Sequence, residues 1–240
     1  MCSPESETEH SPHPQRTIRS FVKRTGRLTE GQKFALEHYW PLYGLEYQPK
    51  EPVEFNTLFP GKSGVKLEIG FGNGDSLVQM AAEDQDYGYI GIEVHTPGVG
   101  QCLKKIDELQ INNLKLVSHD ALEVLEHMIP EQSLDGVFLF FPDPWHKKRH
   151  KKRRIVNQTF RDLLIRLMKP GAVLHMATDW QDYARHMSKQ LISDERFLST
   201  GDERGYCEKP DYRPITKFEQ RGIRLGHGVW DLMFKVLPKA

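Results

Sequence analysis

The sequence predicts one α/β domain built on a mostly parallel sheet with helices on both faces. Three observations carry that expectation. Short apolar or β-branched runs alternate with helical patterns from Val65 onward. A glycine-rich turn, Gly70-Phe71-Gly72-Asn73-Gly74, joins the first run to the first helical pattern. Acids recur at the carboxyl ends of successive runs. Such alternation calls for parallel strands, because each crossover lays a helix against the sheet.

Residues 1 to 15 are polar, proline-bearing and without apolar periodicity, and read as a disordered tail. Arg16, Arg19, Lys23, Arg24 and Arg27 follow with no acid before Glu30. Residues 1–30 are therefore a basic arm and residues 31–240 the folded domain. Such an arm is solvated, grips nucleic-acid backbone, or orders as a lid on binding. Strands are expected at Val65–Ile69, Tyr89–Glu93, Leu114–Ser118, Leu134–Phe141 and Ala172–Ala177, with a late one at Val229–Val236. Helices are expected at Ser76–Ala82, Gly100–Leu109, Ala121–Met128, Asn157–Met168 and Trp180–Ser193. Lys169-Pro170-Gly171 supplies the stop after the fourth.

Composition narrows the class. The chain has 240 residues, with 33 basic and 33 acidic side chains, so its basic charge is local and suits a docking face. Cys2, Cys102 and Cys207 stand far apart, which excludes a CxxC metal site and argues against a disulfide framework. No apolar stretch nears the ~18 residues of a membrane span. The N-terminus lacks the basic-then-apolar pattern of a signal peptide. A soluble cytoplasmic enzyme, needing no membrane, is the expectation.

The glycine turn favours a particular cofactor class. Gly70, Gly72 and Gly74 let the backbone turn sharply and admit a ligand where a Cβ would intrude. The dinucleotide fingerprint places its third glycine one position later. Glu68, just before the turn, repels a phosphate and suits a cation, such as the amino group or sulfonium of S-adenosylmethionine. Glu93 ends the second strand, where it can accept from both ribose hydroxyls, and Asp120 follows the third, where it can hold an adenine amino group. Glu93 also reads as a solvated strand-end acid and Asp120 as a helix N-cap. Three acids at three parallel strand ends favour S-adenosylmethionine over NAD.

The fourth strand ends in Phe140-Phe141-Pro142-Asp143-Pro144-Trp145, and seven Lys/Arg side chains follow within Lys147–Arg154. A carboxylate, an indole and a run of cations suit the edge, face and backbone of a nucleic-acid base. Trp145 either stacks on a base or seals the sheet edge. His146 and His150 have i, i+4 spacing, but so many cations argue against a metal there. Asp179, after the fifth strand, can accept from guanine's ring N–H and amino group, or cap the next helix.

These motifs carry a resemblance. Glu68-Ile69-Gly70-Phe71-Gly72-Asn73-Gly74, the Pro142-Asp143-Pro144-Trp145 block with its basic run, Ala177-Thr178-Asp179-Trp180 and Thr216-Lys217-Phe218-Glu219 stand in one family's order. The chain resembles the bacterial tRNA (guanine-N7)-methyltransferases over roughly residues 30 to 237. That resemblance implies a Rossmann-like class I methyltransferase with a seven-stranded sheet, S-adenosylmethionine as donor, and a guanine of the tRNA variable loop as acceptor. It places Glu68, Gly70, Gly72, Gly74, Glu93, Asp120 and Asp143 at the donor, and Asp143 also at the active site. Lys147, Asp179, Thr216, Lys217, Phe218 and Glu219 take substrate positions. Arg149, His150, Lys151, Lys152, Arg153 and Arg154 take the RNA-contacting loop. No obligate protein partner is implied, and monomer and homodimer stay open.

Three rival readings differ in chemistry. Asp143-Pro144-Trp145 is a near miss of the Asn/Asp-Pro-Pro-aromatic motif of enzymes that methylate exocyclic amino groups, such as adenine N6. An NAD-linked oxidoreductase is disfavoured by the glycine spacing and Glu68. A non-catalytic RNA-binding module would not need the donor-facing acids.

Overall fold

Thr29 opens the first helix with a capping box: its side chain accepts from the Gln32 backbone while the Gln32 side chain accepts from the backbone of Thr29. The computed structural model describes residues 19–21, 26–49, 51–215, 219–220 and 228–238. Within them the chain runs α1 (Glu30–His38), α2 (Trp40–Tyr43), β1 (Gly44–Leu45), α3 (Phe55–Leu58), β2 (Gly64–Ile69), α4 (Asp75–Glu83), β3 (Tyr87–Ile92) and α5 (Thr96–Glu108). It continues through β4 (Leu114–Val117), α6 (Ala121–His127), β5 (Leu134–Phe140), a 3-10 turn (Lys148–Arg153) and α7 (Gln158–Leu167). The last elements are β6 (Met168–Thr178), α8 (Gln181–Ile192), β7 (Phe197–Ser199), β8 (Tyr206–Cys207) and β9 (Trp230–Val236).

One sheet unites the strands in the order β1-β4-β3-β2-β5-β6-β9-β7, with β8 also paired to β9. The first six in that order are parallel, and β9 runs antiparallel to β6, β7 and β8. Among the described residues there are nine strands, where the resemblance implies seven and the apolar runs supply six. The additions β1, β7 and β8 span only two or three residues, too few for an apolar alternation to register.

β5 is buried on both faces. Val137 and Leu139 join one apolar cluster with α6, α7 and α8, while Phe138 and Phe140 join the other with α4 and α5. This two-sided burial explains why the strand reads as a continuous apolar run. Lys169-Pro170-Gly171 lies within β6 as an irregularity, where the pairing jumps from Leu134↔Met168 to Gly136↔Val173. Gly171 takes φ 82°, a conformation that suits glycine at such a kink.

From β2 the chain winds outward through β3 and β4, then returns to place β5 on the other side of β2. Strand order reverses between β2 and β5. Open α/β sheets bind ligands in the crevice at the carboxyl ends of the two strands flanking such a reversal. The glycine turn leaves β2 there, and Pro142-Asp143-Pro144 leaves β5.

Candidate active site

The glycine turn is shaped by left-handed backbone. Gly70 and Gly72 have φ of 73° and 57°, and a Cβ built on either would have no atom within 4 Å. Their faces open onto a cavity of about 380 Å³ at the β2/β5 reversal, a size suited to a small-molecule ligand. Glu93, His119 and Asp143 also line it, as do Ser20 and Phe21 of the N-terminal segment.

Glu68 lies behind this lining, 2% exposed. Its Oε1 accepts from the Ser76 hydroxyl at 2.6 Å, but its buried Oε2 has no hydrogen-bond partner among the described residues. Burial pushes the carboxyl up to about 8; the Ser76 bond opposes the shift and the charge of Glu93 adds to it. An unpaired buried carboxylate oxygen is costly unless a cation or donor meets it. Such an oxygen fits the cationic amino-acid end of S-adenosylmethionine.

Glu93 is held in place. Its Oε2 accepts from the Gly72 N–H at 2.8 Å, and Oε1 accepts from Val94 and His95 N–H at 2.7 and 2.9 Å. The carboxylate thus ties the loop after β3 to the glycine turn while facing the cavity. Asp120 caps α6, accepting from the Leu122 N–H at 3.0 Å. Glu68, Gly74 and Asp120 do not themselves line the cavity, whereas Gly70, Gly72, Glu93 and Asp143 do.

The turn after β5 is strained at both ends. Phe141 and Trp145 take φ of 51° and 47°, a region that bulky side chains seldom occupy, and they bracket Pro142-Asp143-Pro144. Asp143 is exposed and makes no hydrogen bond or ion pair among the described residues. Trp145 is already engaged. Its Nε1 donates to the Ser20 carbonyl at 3.0 Å, and the Arg153 guanidinium lies 5.0 Å from its ring centroid.

The basic loop divides in two. Lys147, Lys148, Arg149 and Lys152 are exposed, and His150, Lys151 and Arg153 are partly so. Arg154, expected to face RNA, is 2% exposed. Its Nε donates to the Pro144 carbonyl at 2.9 Å, its Nη2 pairs with Asp182, and its guanidinium lies 4.7 Å from the Tyr183 ring centroid. Burial removes it from reach of an RNA phosphate and gives it the turn to support. Lys151 joins the same Asp182 at 2.8 Å. Pairing with Lys151 and Arg154 holds the Asp182 carboxyl down to about 2.

Asp179 does not cap α8, whose N-cap is Trp180 without a side-chain bond. Its carboxylate stays unbonded at the end of β6 among the described residues. Glu219 is 4% exposed and receives two hydrogen bonds from Arg213, at 2.6 and 2.9 Å. Thr216, Lys217 and Phe218 lie outside the described residues. Sequence reasoning passed over Arg213, Asp182, His175 and Asp231. The last two had a signal: each is an ionisable residue inside an apolar strand, where burial demands a partner.

Comparison with known proteins agrees with this geometry. A family model described as "Putative methyltransferase" matches residues 62–232. The chain is 56% identical over 229 residues to the tRNA (guanine-N(7)-)-methyltransferase of Pectobacterium atrosepticum, covering 95% of each chain. It is 57% identical over 220 residues to that of Yersinia pseudotuberculosis, covering 92% of each. Among solved structures, the 16S rRNA methyltransferase KamB aligns with TM-score 0.54 at 14% identity, over 80% of this chain and 96% of that one. TrmN from Thermus thermophilus aligns with TM-score 0.52 at 12% identity, over 86% of this chain and 48% of that one. Those two likenesses speak for the fold alone, and the sequence relatives for the family: the chain belongs to the tRNA (guanine-N(7)-)-methyltransferases.

Proposed function

We propose that the protein methylates N7 of a guanine in the variable loop of tRNA, with S-adenosylmethionine as donor. The observation that carries this reading is the Oε2 of Glu68, unpartnered among the described residues and buried behind a glycine turn at the sheet's strand reversal. Glu68 and Glu93, with Gly70 and Gly72, hold the donor; Gly74 lets the turn pack against Cys102 of α5, and Asp120 fixes the start of α6 beside it. When bound, the donor supplies an electrophilic methyl group on a cationic sulfur.

Guanine N7 carries a lone pair and no proton, so Asp143 has no proton to remove. Its work is orientation and charge: it holds the guanine edge or the donor's amino group, and its negative charge favours the cationic purine that results. Asp179, Lys147 and the segment Thr216 to Glu219 complete the guanine site. The exposed cations from Lys147 to Arg153 hold tRNA phosphates. Residues 31–240 form the catalytic domain and residues 1–30 its basic arm, and a tRNA substrate places the protein in the cytoplasm.

The test is incubation of the protein with labelled S-adenosylmethionine and unmodified tRNA, followed by digestion and nucleoside identification. Label in 7-methylguanosine is the expected outcome. Label in another nucleoside, or none with donor binding intact, overturns the acceptor.

A further inference from the structure

We infer that Arg213 is the positioning residue that sets Asp143, Asp179 and Glu219 into one guanine-facing arrangement; this rests on reading those acids as guanine contacts. Arg213 is fully buried. Its Nε and Nη2 donate to the two carboxylate oxygens of Asp231 at 2.6 and 2.9 Å. Its Nη1 and Nη2 donate to the two oxygens of Glu219 at 2.6 and 2.9 Å. One planar fork therefore grips two carboxylates from different parts of the chain, a geometry that only guanidinium offers.

Each grip leads to one of the acids. Asp231 on β9 pairs directly with Ala177 on β6, two residues before Asp179. The guanidinium lies 5.8 and 5.7 Å from the ring centroids of Phe140 and Phe141, and Phe141 is two residues before Asp143. Glu219 is held outright, through both carboxylate oxygens. The far side of Asp231 is closed by His175. Burial holds that imidazole below its ordinary value, so the neutral ring donates from Nε2 to Asp231 and accepts at Nδ1 from the Tyr212 hydroxyl. The end of β5, strand β9 and Glu219, six residues on from Arg213, thus meet at one cation.

A buried charge array of this kind is weak as a device for stability alone, since apolar replacements often serve as well. Its distinctive product is fixed geometry. Lysine at 213 keeps the charge and loses the fork.

The test compares R213K and E219Q with the wild type, reading kcat, KM for tRNA, donor affinity and thermal unfolding, and then measures the double variant. We expect R213K to lose on the order of 10–100-fold in kcat, the scale of a misplacement of about 1 Å. KM for tRNA should move less than about threefold and donor affinity less than about twofold. The double variant should be no slower than the worse single, because the residues act through one another. A normal kcat in R213K with E219Q impaired overturns the inference alone. A silent E219Q overturns the reading of Glu219 as a contact, and the inference with it. Loss of donor affinity in parallel with kcat, or additive effects, shows Arg213 to be merely structural. If R213K does not fold, D231N loosens the same grip and is judged by the same readouts.

Discussion

Arg154 donates a hydrogen bond from Nε to the carbonyl oxygen of Pro144, ten residues earlier, at 2.9 Å. The basic loop is thereby tied to the turn that carries Asp143. Arg154→Met removes this bond and the pairing with Asp182, which is itself half exposed. We expect a stability loss of about 1–3 kcal/mol and a slower methyl transfer. Denaturant unfolding and turnover under saturating substrates check both. Unchanged stability would mean that the buried guanidinium is replaceable.

Exposed cations of the same loop should behave differently. Neutralising Lys148, Arg149 and Lys152 together should leave unfolding unchanged and weaken tRNA binding. The slope of log affinity against log salt should flatten by about one for each phosphate that is no longer neutralised. A slope equal to that of the wild type moves the main RNA interface elsewhere.

Glu68 predicts a pH signature. Its carboxyl is raised from the ordinary 4.5 to about 8 in the folded protein. Between those values the folded state keeps a proton that the unfolded chain has released. Its contribution to stability is thus full below about 4.5 and is lost as pH rises through about 8. Glu68→Gln should flatten the fall in stability between pH 5 and about 8, by on the order of a few kcal/mol. Binding a cationic donor at pH 7 should release a proton from the wild type and none from this variant. Calorimetry in buffers of differing ionisation enthalpy measures that proton.

Asp143→Asn should cost at least about 100-fold in kcat, the scale of removing a preorganised electrostatic group. The pH profile should keep its shape, because guanine N7 needs no base. An acidic limb present in the wild type and absent from the variant would assign Asp143 to proton abstraction.

Much of this was legible in the residues. The six longer strands and the two-faced sheet follow from apolar runs that alternate with helical periodicity. The cavity-lining Gly70, Gly72 and Glu93 declare themselves because they sit at strand ends, where the fold binds ligands. Helix α1 carried a readable signal in Thr29 and Gln32, a capping box without a strong apolar stripe. The Arg213 array was not legible: Glu219 stands six residues on, but His175 and Asp231 are brought together only by the antiparallel return of β9 along β6. Nor could spacing separate Arg154 from the cations beside it. One of eight neighbouring residues turned inward because Tyr183 and the Pro144 carbonyl were there to receive it.

The two-sided burial of β5 has a consequence for how this site can vary. Its aliphatic side chains face one core and its aromatic ones the other, where Phe140 meets His175 at 5.0 Å between ring centroids. Loss or gain of a single residue ahead of Pro142 exchanges those faces and turns every later side chain about. The direction in which Asp143 points is therefore a question of odd and even. Length changes along this strand are compatible with the site only in pairs, whereas the loops at the opposite end of the sheet are under no such arithmetic.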